Sequence, residues 1–480
     1  MPPVQFAALG AAAGFYVLFS SHAVVSIIGF IAIIIFFFII KYFTPLKTDK
    51  RFLYMFTVSS ISFAAGLVIG ICAGFAGKNN VNFGMPEKNV TGIEGVLLED
   101  PRVIKGGNAL VSLSLRRSAS FGGLRVSSHG EVFVFFPQES ADKLKQFGRG
   151  AVVYAEGSLR SSSLGWSFSA DSLHVVKRAP AIEEFRTSVR ANLVNRFGKE
   201  KWSALASALL LGVRDNLDIE FVSVYRSAGL SYILALSGMH LAIITALISF
   251  ILKKPLGLKG CAIAGAFIII VYCLLVGPMP SLNRSALMYI LGVLAILGAL
   301  PKKAMSILSL SFLIQIIITP SAGNTLSFIL SYLALAGILI IGKAFSSLFA
   351  GKIPDSILQP LSLSIGAFLA TAGVCSYFFG TIAPVGILSG LIIVPLTTIF
   401  MIGSIIYLVL DFISLSFLLN FPLSFLYRAM ELTASVSGKA PGIFANYVLV
   451  LALSSVLMLA IIVTEKRRRE DMLKLKPFLW

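Results

Sequence analysis

Several ionisable residues of this sequence stand beside or inside long apolar runs, namely Arg214, Asp215, Arg226, His240 and Arg284. An ionised group is costly in hydrocarbon, so within membrane segments such residues mostly line a polar path. The chemistry that suits this set is the steadying of an anion, since an arginine can hold a phosphate by charge. Ordinary structural roles also fit: Arg214 and Asp215 as an ion pair that caps a helix, and Arg284 as a side chain that snorkels to the membrane interface.

Ser237 and His240 form a second pattern that could do chemistry. They are three residues apart and therefore share a helix face, and Gly238 beside them allows close backbone approach. With an acid such as Asp215 they would suggest a membrane-bound hydrolase, whereas a lone histidine in a bundle is commonly a hydrogen-bonded core residue. Without a loop break, serine and histidine at this spacing on one helix are poorly placed for proton transfer, so we predict that the protein is not an enzyme.

No cofactor and no metal site are predicted. The histidines at positions 22, 129, 174 and 240 are dispersed and cannot form a His-x-His-x-Asp-His ligand set.

The elements that must position these residues follow from composition. The chain has 480 residues, 57% of them hydrophobic and 13% charged, which predicts a polytopic membrane protein. Much of the net charge of +18 lies in short loops between apolar runs, which is typical of a cytoplasmic face, and the rest suits an anionic substrate. These basic loops are Lys41–Arg51, Lys253–Lys254, Lys302–Lys303, Lys343–Lys352 and Lys466–Arg469.

The predicted fold class is an all-α polytopic membrane bundle with an inserted small all-β domain, OB-like and extracytoplasmic. Residues 78–180 carry about five short strand patterns bounded by turn residues, which favours a small, partly open barrel. The predicted divisions are transmembrane helices in 1–77, the OB-like domain in 78–180, amphipathic helices in 181–229, the bundle in 230–465 and a basic cytoplasmic tail in 466–480. Each apolar run in the membrane divisions is long enough for a crossing, some of them tilted or short; the runs are 4–40 (one long span or two short ones), 52–76, 230–252, 258–276, 282–300, 304–318, 324–349, 357–377, 382–410, 412–427 and 443–464. The amphipathic helices lie either on the membrane surface or against the bundle.

The OB-like domain could contact nucleic acid, because such barrels bind single strands with basic grooves and stacked aromatic rings. The candidate basic residues are Arg116, Arg117, Arg125, Arg149 and Arg160. Phe121, Phe133, Tyr154 and Trp166 supply rings, although we expect most of those rings to form the barrel core.

Three sequence words carry a resemblance to a known family. They are Leu211-Gly-Val-Arg-Asp215, Arg226-Ser-Ala-Gly-Leu-Ser231 and Leu234-Ala-Leu-Ser-Gly-Met-His240. The segment around Arg284-Ser-Ala-Leu-Met288 and the region 366–396 match more moderately. These words resemble the ComEC competence family of inner-membrane DNA-internalisation channels, and the likeness covers about residues 50–410.

The resemblance implies a multi-pass channel in the bacterial cytoplasmic membrane that carries single-stranded DNA during natural transformation, with the C-terminus cytoplasmic. It implies a DNA path along Arg214, Asp215, Arg226, Ser237, Gly238, His240 and Arg284. The implied partners are the lipid bilayer, single-stranded DNA and separate competence proteins: a DNA receptor, a cytoplasmic motor and a nuclease.

One departure from the family concerns nuclease activity. Many relatives end in a metallo-β-lactamase-like domain, whereas this chain ends at Trp480 after a basic tail, so no nuclease activity is expected of it. The alternative function is a transporter or flippase for a small anionic or lipid-linked substrate. Such a protein could use the same helices, in which prolines such as Pro384 and Pro395 predict kinks.

Overall fold

The structure is a computed structural model that describes residues 81–475 and isolated positions between 4 and 15; residues 104–107, 122, 163–164, 278, 299, 301–302, 441 and 445 fall outside the description. The membrane segments predicted within 4–40 and 52–76 therefore lie almost wholly outside the described residues.

Residues 90–177 form a barrel that closes on itself. Its strands are β1 (Val90–Leu97), β2 (Arg102–Val103), β3 (Ala109–Ser120), β4 (Arg125–Ser127), β5 (Glu131–Phe136), β6 (Val152–Ser162) and β7 (Gly165–Lys177), with helix α1 (Gln138–Gln146) between β5 and β6. Strand β1 pairs with both β3 and β6, β3 pairs with β5, and β6 pairs with β7, all antiparallel, while β5 and β7 run parallel. This closed five-strand circuit confirms the prediction of an OB-like domain.

Alternation along β5 shows how the sequence builds the barrel wall. Val132, Val134 and Phe136 are buried in the core, whereas Glu131, Phe133 and Phe135 face outward. The prediction that most aromatic rings lie in the core is wrong for Phe133, which is 49% exposed, and for Phe121, which is 97% exposed. The period of two puts Phe133 on the outer face, because its neighbours on both sides point inward.

The rest of the described chain is a helix bundle, which confirms the predicted fold class. Its helices are α2 (Ala181–Arg196), α3 (Lys201–Leu211), α4 (Ile219–Ser227), α5 (Ser231–Leu234), α6 (Gly238–Val276), α7 (Pro280–Ile296), α8 (Ala304–Ile318), α9 (Leu326–Gly337), α10 (Lys343–Phe349), α11 (Asp355–Phe379), α12 (Val385–Asp411), α13 (Asn420–Gly438) and α14 (Tyr447–Leu475). A π-helical turn, Ile338–Gly342, makes α9 and α10 continuous. Within the described residues, five helical stretches are long and apolar enough to cross a membrane: Gly238–Val276, Leu326–Phe349, Asp355–Phe379, Val385–Asp411 and Tyr447–Arg468.

Helix α6 is two helices joined at a sharp kink. Gly257 has φ 65° and ψ −177°, a backbone conformation that only glycine adopts easily, and Pro255 precedes it. The two halves correspond to the predicted spans 230–252 and 258–276. The first half begins later than predicted, at Gly238, because α5 and a turn at Ser237 interrupt residues 230–237.

Helices α2 and α3 form a hairpin that enters the bundle. The sequence allows two locations for this amphipathic segment, the membrane surface and the bundle. The structure places it against the bundle. Helix α3 is buried along nearly its whole length, and Trp202 packs edge-to-face on Tyr407 of α12, with ring centroids 4.9 Å apart. The apolar residues of the α2 segment differ in burial. Ile182 and Phe185 are exposed, whereas Phe197, just beyond the end of the helix, is buried in the core.

The last helices differ from the predicted spans in position. Residues 412–427 were expected to cross the membrane, but Ser416–Leu419 form a 3-10 turn and α13 begins only at Asn420. Two short strands, β8 (Thr381–Ile382) and β9 (Ile443–Phe444), pair and join the α11–α12 and α13–α14 connections at one end of the bundle. At the other end, Arg468 of α14 donates hydrogen bonds to the Ser347 and Leu348 carbonyls at 2.6 and 2.7 Å.

Candidate functional site

Ser237 and His240 build the N-terminus of α6. The Ser237 backbone N–H donates to His240 Nδ1 at 3.2 Å, and the Ser237 Oγ lies 3.1 Å from the same nitrogen. Because Nδ1 accepts a backbone N–H, the neutral ring carries its proton on Nε2. His240 is fully buried, and its Nε2 has no hydrogen-bond partner among the described residues. Ser237 lies at the N-cap with an extended backbone and not on the helix, so the prediction that the two residues share a helix face is wrong. The pair caps α6, and the buried Nε2 donor lacks a hydrogen-bond partner among the described residues.

The N-terminus of α7 lies against that of α6. The Ser281 hydroxyl donates to the Leu236 carbonyl, just before α6 begins. A Cβ at Gly238 would lie 3.1 Å from the Ser285 Oγ, so glycine permits this approach. Two helix N-termini, each a positive dipole end, thus meet at one place in the bundle.

Arg284 lies one turn into α7 and is only 1% exposed. Its Nε and Nη1 have no hydrogen-bond partner in the described chain. The guanidinium carbon lies 5.3 Å from the centre of the Tyr332 ring on α9, a cation–π contact. The snorkelling alternative does not describe this side chain, because it is buried rather than extended to a surface.

Tyr332 is itself held in place by two polar side chains of α8. Its hydroxyl donates to Gln315 Oε1 at 3.1 Å and lies 3.2 Å from the Ser311 Oγ. Sequence reasoning missed Tyr332 and Gln315. The available signal was the polar residues within the apolar run 304–318.

The turn that carries Arg214 and Asp215 packs next to the N-termini of α6 and α7, since a Cβ at Gly212 would lie 2.7 Å from Leu236 Cδ1 and 3.3 Å from Met279 Cε. Arg214 and Asp215 occupy the turn after α3, where Gly212 with φ 70° ends the helix and the Leu217 N–H donates to the Arg214 carbonyl. Arg214 is exposed and Asp215 half-buried. Arg226 lies in the last turn of α4 with an exposed side chain.

The barrel presents two exposed phenyl rings on one face, which we call the Phe133 face. Across neighbouring strands Phe133 is flanked by Ser112 and Ser167, and Ser167 is paired in turn with Arg160. Phe135, 37% exposed, lies two residues along the same strand. Sequence reasoning named Phe133 and Arg160 but not Phe135, although its spacing of two from Phe133 in a strand places both on one face.

The remaining predicted basic residues of the barrel do not gather on the Phe133 face. Arg116 and Arg117 are exposed on β3, and Arg149 is half-buried after α1. The Arg125 guanidinium carbon lies 5.1 Å from the centre of the Tyr154 ring.

A buried charge cluster joins the barrel to the bundle. Asp100, in the β1–β2 loop, accepts hydrogen bonds from Arg186 Nη2 at 2.6 Å and from Arg190 Nη1 at 2.5 Å, both on α2. Arg186 also donates to Glu183, and Arg190 donates to the Leu211 carbonyl at the end of α3. Burial alone would raise the pKa of Asp100, but Arg186, with Arg190, outweighs burial and holds that pKa below its usual value. Sequence reasoning missed this cluster, since Asp100 is 86 residues from Arg186.

Among the described residues, no group of three or more His, Cys, Asp or Glu side chains is arranged to hold a metal ion.

Fold and site together define a polytopic membrane protein with an OB-like domain and a buried cationic side chain beside two helix N-termini. The family model for the Competence protein matches residues 209–468. This match covers more than half of the chain, and the protein therefore belongs to the Competence protein family.

Two relatives show the same likeness. An uncharacterised protein of Aquifex aeolicus (strain VF5) is 25% identical over 271 residues, or 55% of this chain and 62% of that protein. The ComE operon protein 3 of Bacillus subtilis (strain 168) is 25% identical over 261 residues, or 52% of this chain but only 32% of its own length. The matched segments thus span less than two thirds of both relatives. No solved structure matches the chain significantly.

Proposed function

We propose that this protein is a channel that carries single-stranded DNA across the bacterial cytoplasmic membrane during natural transformation. The observation that carries the proposal is the family match over residues 209–468, because that range contains the helices that hold His240 and Arg284. Membership of the family supports a role in competence and DNA uptake. That the protein itself conducts the single strand is our inference.

The chemistry of such a channel is the passage of a polyanion, which requires positive groups along the path and room between helices. Arg284 with the two adjoining helix N-termini supplies positive potential inside the bundle. Arg226 and Arg214, both exposed, supply charge that a strand can reach without rearrangement.

The orientation proposed from the basic loops receives support from contacts between connections. With alternate threading, the α11–α12 and α13–α14 connections face the same side, and β8 pairs with β9 there. The contact of Arg468 with Ser347 and Leu348 joins two lysine- and arginine-rich connections at the opposite end. We assign that basic end to the cytoplasm and the barrel to the outside.

The Phe133 face is the proposed first contact for the incoming strand. Bases stack on exposed aromatic rings at about 1–3 kcal/mol per base, and every base has a face that stacks. Phe133 and Phe135 offer two such rings, with Arg160 within reach of a phosphate.

The protein is proposed to conduct rather than to hydrolyse. Ser237 and His240 are engaged with each other in capping α6. Separate competence proteins would bind the duplex, pull the strand and degrade its complement.

The decisive experiment deletes the gene in its host and follows labelled extracellular DNA into a nuclease-protected cytoplasmic pool. We expect internalisation to fall to background and to recover with the wild-type gene. Unchanged internalisation would exclude the proposed function, and altered export of a lipid-linked or small anionic compound would favour the transporter alternative.

The role of the Phe133 face can be tested by measuring the binding of single-stranded DNA to the purified protein, separately from transport. Phe133→Ala with Phe135→Ala in the purified full-length protein should weaken binding of a fluorescent oligothymidine at least tenfold, because two stacking rings are lost. Phe121→Ala is the matched control, since Phe121 is 97% exposed but lies at the β3–β4 turn. Equal loss in all variants, or none in the double variant, would contradict this role.

A further inference from the structure

Burial of the Arg284 guanidinium is energetically unfavourable, and the described residues around it offset that cost only in part. Within the described chain, no carboxylate lies beside this 1% exposed guanidinium, and Nε and Nη1 lack hydrogen-bond partners. A buried charge without a counter-ion costs several kcal/mol, so such a group persists only where it serves a further interaction. The Tyr332 ring compensates part of this cost, because a desolvated cation–π contact is attractive.

The neighbourhood adds positive potential rather than cancelling it. Arg284 lies one turn into α7, whose N-terminus abuts that of α6 through the Ser281–Leu236 hydrogen bond. Each helix N-terminus behaves roughly as half a positive charge. The two N-termini meet on the Ser281 and Ser285 side of α7, the Arg284 guanidinium on the same turn faces Tyr332 of α9, and among the described residues no carboxylate pairs with it.

We propose that this region is a closed phosphate-binding site, with Arg284 as the binding group and Tyr332 as its cover. The ligand class is a phosphate monoester or diester oxyanion, which the guanidinium would hold through the nitrogens that now lack partners. Tyr332 occupies the face of the guanidinium, and its hydroxyl is held by Gln315 and Ser311. The site opens when this ring moves aside. The inference deepens the proposed function, on which it rests for the identity of the natural ligand.

The Tyr332 cover predicts a measurable effect on the apparent affinity for phosphate. If the open form is a minor population, the apparent affinity is reduced by that fraction, and loosening the cover raises it. Tyr332→Phe keeps the ring and removes the hydroxyl with both of its hydrogen bonds. This variant should bind inorganic phosphate at least about fivefold more tightly than the wild type, since the two hydrogen bonds of the Tyr332 hydroxyl no longer hold the closed form.

The experiment measures the thermal unfolding midpoint of the purified full-length protein while inorganic phosphate replaces chloride at constant ionic strength. Phosphate should raise the midpoint of the wild type, and Arg284→Gln should abolish that rise. Arg284→Gln should also raise the midpoint without phosphate, because it removes an unpaired buried charge. Arg428→Gln, an exposed arginine of the same bundle, is the control and should change neither value.

Opposite outcomes overturn the proposal. A lower starting midpoint for Arg284→Gln together with an undiminished phosphate response would show a structural arginine and no site. If that variant does not fold, Arg284→Lys must weaken the phosphate response, since lysine lacks the planar fork; an equal response counts against the site. A phosphate response that depends on Arg284 in a host whose DNA uptake survives gene deletion would leave the site standing and remove only the proposed function.

Discussion

At the residue scale, His240 has two roles that one substitution can separate. Its Nδ1 accepts the Ser237 N–H and thereby completes the cap of α6, while its buried Nε2 has no partner among the described residues. A helix cap contributes about 0.5–2 kcal/mol. A buried N–H without a partner costs stability rather than adding to it, which makes Nε2 the candidate atom for a functional contact.

Replacing His240 by glutamine and by alanine distinguishes these roles. Glutamine at the third helical position can accept the N-cap N–H, so His240→Gln should stay within about 0.5 kcal/mol of wild-type stability, whereas His240→Ala should lose about 1 kcal/mol. If Nε2 serves DNA passage, both variants lose uptake to a similar degree. If the His240→Gln variant takes up DNA as well as the wild type does, His240 acts only as a helix cap. Thermal unfolding and the nuclease-protected pool are the two measurements.

At the element scale, the crossing of α9 with α11 depends on glycines. A Cβ at Gly337 would lie 2.2 Å from the Gly366 carbonyl oxygen, and a Cβ at Gly366 would lie 2.7 Å from the Gly337 carbonyl oxygen. Small residues let helix backbones approach in membranes, where close packing replaces the hydrophobic effect as the source of association. This contact holds the end of the helix that carries Tyr332.

Adding a single methyl group tests that crossing. Gly337→Ala should destabilise the protein by about 1–3 kcal/mol, because the helices must separate to admit the methyl. Gly292→Ala in α7 is the matched control, since a Cβ there meets nothing within 4 Å. Alanine favours a helix over glycine by about 1 kcal/mol, so the control should be neutral or stabilising. Equal effects of both changes on the unfolding midpoint would contradict a glycine-dependent crossing.

At the scale of the whole molecule, the barrel is tied to the bundle through Asp100, Arg186 and Arg190. The guanidinium of Arg186 also lies against the break after α6, where a Cβ at Gly277 would be 2.8 Å from Nη1. One loop of the barrel therefore contacts α2, the end of α3 and the α6–α7 connection through a single charge cluster. The cluster therefore links the position of the barrel to that of the connection between α6 and α7.

Asp100→Asn should release the barrel while leaving it folded. Removing the Asp100 charge from this partly buried cluster costs about 3 kcal/mol, because Arg190 loses its counter-ion and Arg186 keeps only Glu183. The expected result is faster protease cleavage in the β7–α2 linker, around residues 178–180, with the strands intact. Asp171→Asn, an exposed aspartate of β7, is the control. Unchanged cleavage would show that other contacts hold the domain.

The same cluster predicts the pH dependence of docking. The pKa of Asp100 is held below its usual value, so the charge contribution is complete above about pH 4 and is lost only as the pH falls through the lowered pKa. Linker cleavage should therefore be the same at pH 8 and pH 5. Release of the barrel between these values would assign docking to another titrating group.

Sequence patterns determined the classes of structure in this protein. Apolar runs between basic loops predicted the membrane bundle, and alternation with turn residues predicted the OB-like barrel, because both signals depend on local periodicity and on the solvent that each face meets. The same local reading indicated which side chains are costly to bury, and Arg284 and His240 are indeed buried.

Only the tertiary structure decided what those side chains contact. Contacts such as Asp100 with Arg186, Arg284 with Tyr332, and Gly238 with Ser285 join residues far apart in the chain, so no local pattern encodes them. The helix boundaries at Gly238 and Asn420 depended likewise on packing and capping rather than on hydropathy, which changes too gradually to mark the end of a helix.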